Sequence, residues 1–85
     1  MFTGVQWTGT LPAGASNRWF TFNWPASWQV VWTMMPTTPK PGAPELDWDV
    51  AVERADATHV TYWITVKNEA TIPINFEGRF AVLNN

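Results

Sequence analysis

Two tryptophans stand where their neighbours are polar. Trp63 alternates with Thr61, Thr65 and Lys67, and Trp19 alternates with Thr21 and Asn23. In an extended chain, residues two apart share a face. Each indole is therefore expected among hydroxyl, amide and charged groups. Such a surface suits a sugar, whose C–H face packs on the ring while its hydroxyls pair with Asn, Asp or Arg side chains. It equally suits a protein contact, where Trp is enriched. The candidate ligand-binding residues are Trp63, Trp19, Asn23, Thr61 and Thr65, with Asp47, Asp49 and Arg79 as polar partners.

Other reactive residue types are sparse. Asp47 and Asp49 lie two apart, so on one strand their Cα atoms are about 6–7 Å from each other. That separation would serve glycoside chemistry or help to hold a hard cation. A solvated outward face is the simpler reading, and one strand offers too few oxygens for calcium. His59 is the single histidine, and the only serines, Ser16 and Ser27, fall in turns. There is no G-x-S-x-G elbow and no H-E-x-x-H pair. No glycine-rich phosphate cradle is visible. Arg79 and Glu77 share a polar face, where each is expected in a solvated surface pair with a charge on a neighbouring strand. No catalytic residue, metal or cofactor is expected.

The elements that position these residues are strands. Turn-forming residues cluster at 11–16, 24–27, 55–58 and 68–71, and residues 36–44 hold four of the seven prolines. Between them lie runs rich in Trp, Val, Ile, Thr and Phe. Six strands are expected, at about 2–10, 17–24, 27–35, 46–54, 59–67 and 74–83. Alternation is clearest in the last three. Leu46, Trp48, Val50 and Val52 oppose Asp47, Asp49, Ala51 and Glu53. Val60, Tyr62, Ile64 and Val66 oppose the Trp63 face. Ile74, Phe76, Phe80 and Val82 oppose Asn75, Glu77, Arg79 and Ala81. In the second run the same arithmetic sets Phe20, Phe22 and Trp24 against Trp19, Thr21 and Asn23. The third run is apolar on both faces: Trp28, Val30, Trp32 and Met34 on one, Val31 and Met35 on the other. Its second face is expected to be covered by another subunit. Trp28, Trp32 and Trp48 are expected in the core, and Gly78 marks a bulge or a close backbone approach.

Composition agrees. The chain has 85 residues, seven Trp, five Phe and one Tyr, and no Cys. Large rings, not disulfides, must build the core. Charged residues are 14% against the usual quarter or so. The net charge of −2 argues against a nucleic-acid or anionic-membrane binder. No apolar run approaches the roughly 20 residues of a membrane-spanning helix. No basic segment followed by an apolar run marks a signal peptide. A soluble product is expected, either cytoplasmic or secreted by a route these residues do not encode.

From Phe20 to Leu83 the chain resembles the H-type lectin domain. The resembling residues are Phe22-x-x-Pro25 leading into Trp28-Gln29-Val30-Val31-Trp32-Thr33, a long loop, and the strands 46–52, 60–68 and 76–83. The resemblance implies a six-stranded antiparallel sandwich assembled as a trimer, with a sugar pocket at the subunit edge. That pocket uses an early Asp, an Arg on the fourth strand and a Trp-His pair after the fifth. Here no Asp precedes Asp47, Trp48 or Asp49 stands near the place of the Arg, and the fifth strand ends in Lys67-Asn68-Glu69.

The expected protein is thus an all-β, six-stranded antiparallel sandwich that forms a homo-oligomer. Two functions are carried forward. One is a non-enzymatic glycan-binding domain whose surface tryptophans act as platforms, multiplied by symmetry. The other is an assembly module whose Trp-rich faces are subunit or protein-partner interfaces.

Overall fold

Val60, Tyr62, Ile64 and Val66 are all buried, and they form the inner face of a central strand. The computed structural model describes residues Met1–Asn85. Its elements are β1 (Phe2–Leu11), β2 (Ser16–Pro25), β3 (Val30–Pro36), β4 (Leu46–Arg54), β5 (His59–Asn68) and β6 (Ile74–Val82). Sheet I is ordered β1-β6-β3 and sheet II β2-β5-β4. Every pairing is antiparallel. The chain is the expected six-stranded, two-sheet antiparallel structure. One boundary moves: β3 begins at Val30 and not near 27. Residues 26–29 turn instead, with Ala26 N donating to Thr58 O and Trp28 N to Pro25 O.

The core between the sheets is made of rings. Trp24 packs edge-on against Phe80, Trp32, Tyr62 and Trp28, at centroid distances of 5.1 to 6.3 Å. Trp7 packs against Trp19, Trp32 and Phe76. Trp32 is buried, while Trp28 and Trp48 are partly buried against the same cluster. Gly78 is a close approach, since a Cβ there would meet the Trp7 indole at 2.6 Å. The bulge lies on the partner strand, between Val5 and Trp7 of β1.

A second bulge overturns the reading of β2. Thr21 pairs with Tyr62 but Trp24 pairs with Val60, so β2 carries one extra residue there. Asn23 absorbs it with φ of 65°, a left-handed conformation that Asn tolerates better than most residues. Trp24 therefore joins Trp19 and Thr21 on the inner side. Phe20 and Phe22, expected to share a face with Trp24, are left outside at 59% and 62% exposure.

Only 15 of 85 residues are buried. The accessible surface, 5159 Å², is close to the roughly 5,100 Å² expected of a folded monomer of this mass. The amount of surface is thus ordinary, and its chemistry is not: Phe20, Phe22, Val5, Val31, Val50 and Val52 are all exposed. Val31, on the second face of β3, has no element of the chain over it.

The four outer strands are sheet edges, and they differ. β1 and β2 carry bulges and β3 closes at Pro36, devices that discourage further pairing. β4 is regular, and Asp49 to Arg54 are all exposed. At its two ends Glu69 N donates to Glu45 O and Ala55 N to His59 O. Hydrogen-bonded pairs alternate along an antiparallel ladder. Asp49, Ala51 and Glu53 therefore bond to β5, and the N–H groups of Val50 and Val52 point outward. Amide hydrogen exchange should show Ala51 at least ~100-fold more protected than Val50 and Val52. Equal protection would mean that another strand occupies this edge.

The β4–β5 hairpin accounts for the lone histidine. The Asp56 carboxylate accepts from Thr58 N and His59 N, each at 2.8 Å, and touches His59 Nδ1 at 3.2 Å. The Thr58 amide, ahead of the His59 contacts, holds the Asp56 pKa below its ordinary value. His59 opens β5, and its backbone and ring serve the hairpin turn.

Candidate functional site

β5 is the middle of sheet II, so its outward side chains form a central column. Thr61, Trp63, Thr65 and Lys67 occupy it. β4 supplies Asp47, Asp49, Ala51 and Glu53 on one side. β2 supplies Arg18, Phe20 and Phe22 on the other. Strand register arranges them in rows. Arg18, Thr65 and Asp49 form one row; Phe20, Trp63 and Ala51 form the next. The extra residue of β2 places Phe22 beyond Phe20, beside the row of Thr61 and Glu53.

The aromatic side chains stack on one another. Phe20 lies on Trp63 with centroids 5.0 Å apart and planes 27° from parallel. Phe22 continues the stack on Phe20 at 6.2 Å and 29°. Cross-strand neighbours are close enough for such contacts. Trp63 is half-buried, and its Nε1 donates to Glu53 Oε1 at 2.9 Å. Its indole is thus fixed from two sides: one face meets Phe20 and the N–H is held by a carboxylate. Arg18 Nε donates to Thr65 Oγ1 at 3.1 Å. Neither Arg18 nor Asp49 takes part in an ion pair within the chain.

Five of the expected site residues come together on this face: Trp63, Thr61, Thr65, Asp47 and Asp49. Thr61 is buried within it, and Asp47 stands across from Lys67. Three do not join them. Trp19 points between the sheets, packing against Phe76 at 5.3 Å and Trp7 at 5.9 Å. This is the inter-sheet packing that aromatic enrichment also allows, and not an outward platform. Asn23 is exposed at the bulge and serves the backbone turn. Arg79 is on the outer face of sheet I, on the far side of the sandwich. Its Nε and Nη2 both donate to Glu77 Oε1, at 3.0 and 2.8 Å, so it forms a surface pair within its own strand and not with a charge on a neighbouring strand. No cluster of three or more His, Cys, Asp or Glu side chains is placed to hold a metal ion.

Phe20, Phe22 and Arg18 are the members of this face that alternation alone does not assign to it. In β2 rings occupy positions 19, 20, 22 and 24, so period-two counting cannot say which face is inner. The one available signal is Asn23, a residue suited to the left-handed step of a bulge.

Phe20 covers one face of Trp63 and Phe22 flanks Phe20, while Phe20 and Phe22 themselves remain exposed. Comparison with known proteins adds no candidate: no family model, curated protein or solved structure matches the chain.

Proposed function

We propose that the chain is an assembly module that self-associates through the outer face of sheet II. The observation that carries this reading is the exposed stack of Phe22, Phe20 and Trp63. Stacked rings of this kind on a regular strand surface form a ridge, with polar and charged residues around it. Apolar rings at the centre and charges at the rim is the anatomy of a protein contact. The area at stake is apolar surface that a monomer leaves in water at a cost of roughly 25 cal/mol per Å².

Sedimentation over a wide concentration range tests it. The native chain should shift from monomer to a larger species as concentration rises. A chain carrying both Phe20→Ser and Phe22→Ser should stay monomeric, with its dissociation constant raised at least ~100-fold. Identical behaviour of the two chains would sink the reading. Both residues are exposed, so the double variant should keep its circular dichroism spectrum.

A glycan-binding reading retains one specific observation: Thr65, Asp49 and Arg18 surround Trp63 with hydroxyl, carboxylate and guanidinium groups. A glycan-array screen of the native chain beside Trp63→Ala separates the two. Selective binding lost in the variant would establish a lectin. The assembly reading expects no selective glycan.

A further inference from the structure

Resting on that assembly reading, we infer that the partner is a second copy of this chain, packed face to face about a two-fold axis parallel to β5. The inference comes from how charge and bulk are distributed across the rows of sheet II.

Two adjacent rows are lopsided in complementary ways. In one row Arg18 on β2 and Asp49 on β4 flank Thr65. They stand two strand spacings apart, about 10 Å, and neither has an ion-pair partner in its own chain. In the next row the large Phe20 and the small Ala51 flank Trp63. A two-fold axis running along β5 lays the β2 of one copy over the β4 of the other, row on row. Arg18 then meets the partner's Asp49, and Phe20 meets the partner's Ala51. Each contact occurs twice. Trp63 meets its own counterpart on the axis. An isologous interface demands such self-complementarity, and aligned packing of two sheets about 10 Å apart is a standard geometry.

The competing two-fold arrangement fails on the same rows. An axis across the strands at Trp63 would set Asp49 against the partner's Glu53. It would also put Phe20 on Phe20 and Ala51 on Ala51. That arrangement loses both Arg18–Asp49 contacts and sets carboxylates against each other, and like charges opposed across an interface are unfavourable.

Charge exchange tests the arrangement. Arg18→Asp alone makes both charged rows of the dimer all-acidic, and Asp49→Arg alone makes them all-basic. Each variant by itself should be monomeric at concentrations where the native chain is dimeric, its dissociation constant raised at least ~30-fold. Mixed in equal amounts, the two should form a one-to-one heterodimer, because each variant then supplies what the other lacks at both contacts. Native mass spectrometry with one variant isotope-labelled reads the composition directly. Recovery on mixing also requires both variants to be folded, so misfolding cannot imitate the expected result.

Other outcomes overturn the inference. If both single variants dimerise like the native chain, Arg18 and Asp49 do not meet. If the mixture stays monomeric, they do not meet each other. Either result, combined with dissociation of the Phe20→Ser and Phe22→Ser chain, would leave the aromatic assembly standing and remove only this arrangement. A native chain that stays monomeric at millimolar concentration would remove both.

Discussion

Replacing Asn68 with Asp should unfold the protein at neutral pH or bring it close to unfolding. Asn68 is fully buried at the end of β5. Its Nδ2 lies within 2.9–3.1 Å of three carbonyl oxygens, those of Leu11, Pro12 and Ile72. Its Oδ1 accepts from Ala70 N at 2.7 Å. One side chain thus ties the β1–β2 turn and the β5–β6 turn to the end of sheet II. A carboxylate in its place has no hydrogen to give, and it faces three oxygens without water. Breaking a buried charged arrangement costs about 3–5 kcal/mol, a large share of the roughly 5–15 kcal/mol that holds a domain together. Asn68→Ala removes the bonds without adding charge and should cost less, about 2–3 kcal/mol.

Acid separates the two effects. Burial against carbonyls raises the pKa of the substituted carboxyl in the folded state. The folded state therefore binds its proton more tightly than the unfolded chain does. Stability relative to the native chain is retained below the unfolded value of about 3.9, and is lost as pH rises through the folded one. In urea melts the gap between Asn68→Asp and Asn68→Ala should shrink from pH 7 to pH 3. A gap independent of pH would mean that the site admits water, and that Asn68 does not hold the turns together as described.

Trp24→Ala should be comparably damaging. Trp24 touches Trp28, Trp32, Tyr62 and Phe80, and its Nε1 donates to Thr21 Oγ1 at 3.0 Å. Truncating a buried Trp costs about 3–5 kcal/mol, and a chain without disulfides has no covalent reserve. Chemical denaturation should show a correspondingly lower midpoint. The near-ultraviolet circular dichroism of the coupled indoles should weaken as well. Trp28→Ala, at the margin of the same cluster, should cost clearly less. Equal losses at the two positions would contradict the placement of Trp24 at the hub. The effect bears on the interface too. The bulge that turns Trp24 inward is also what leaves Phe22 outside, so losing the anchor should loosen the aromatic stack.

The strand order of sheet II explains why the candidate face is where it is. β5 is flanked on both sides, so its inner residues are buried and its outer column is held rigidly. β4 and β2 bring opposite charges to the two margins of that column. No single strand carries the pattern. It exists only when three strands, distant in the chain, lie side by side.

Much was decided by local sequence. Alternation in 46–54, 59–67 and 74–83 sorted the named side chains onto the two faces of their strands, but the expected burial of the apolar face failed at Val50 and Val52, which stay exposed on edge strand β4. Proline density placed the long loop, and the absence of cysteine with an excess of rings implied a ring-built core. Three things came only from the tertiary structure. The face of β2 was one, since rings on both sides of a strand satisfy either orientation, and an extra residue at Asn23 reversed the parity of Trp24. The separation of Arg79 from Trp63 was another, because which sheet a strand joins depends on long-range pairing that alternation does not encode. The third was the row that sets Arg18, Thr65 and Asp49 abreast. Register between strands is fixed by the fit of all their buried side chains together, and no one segment contains that information.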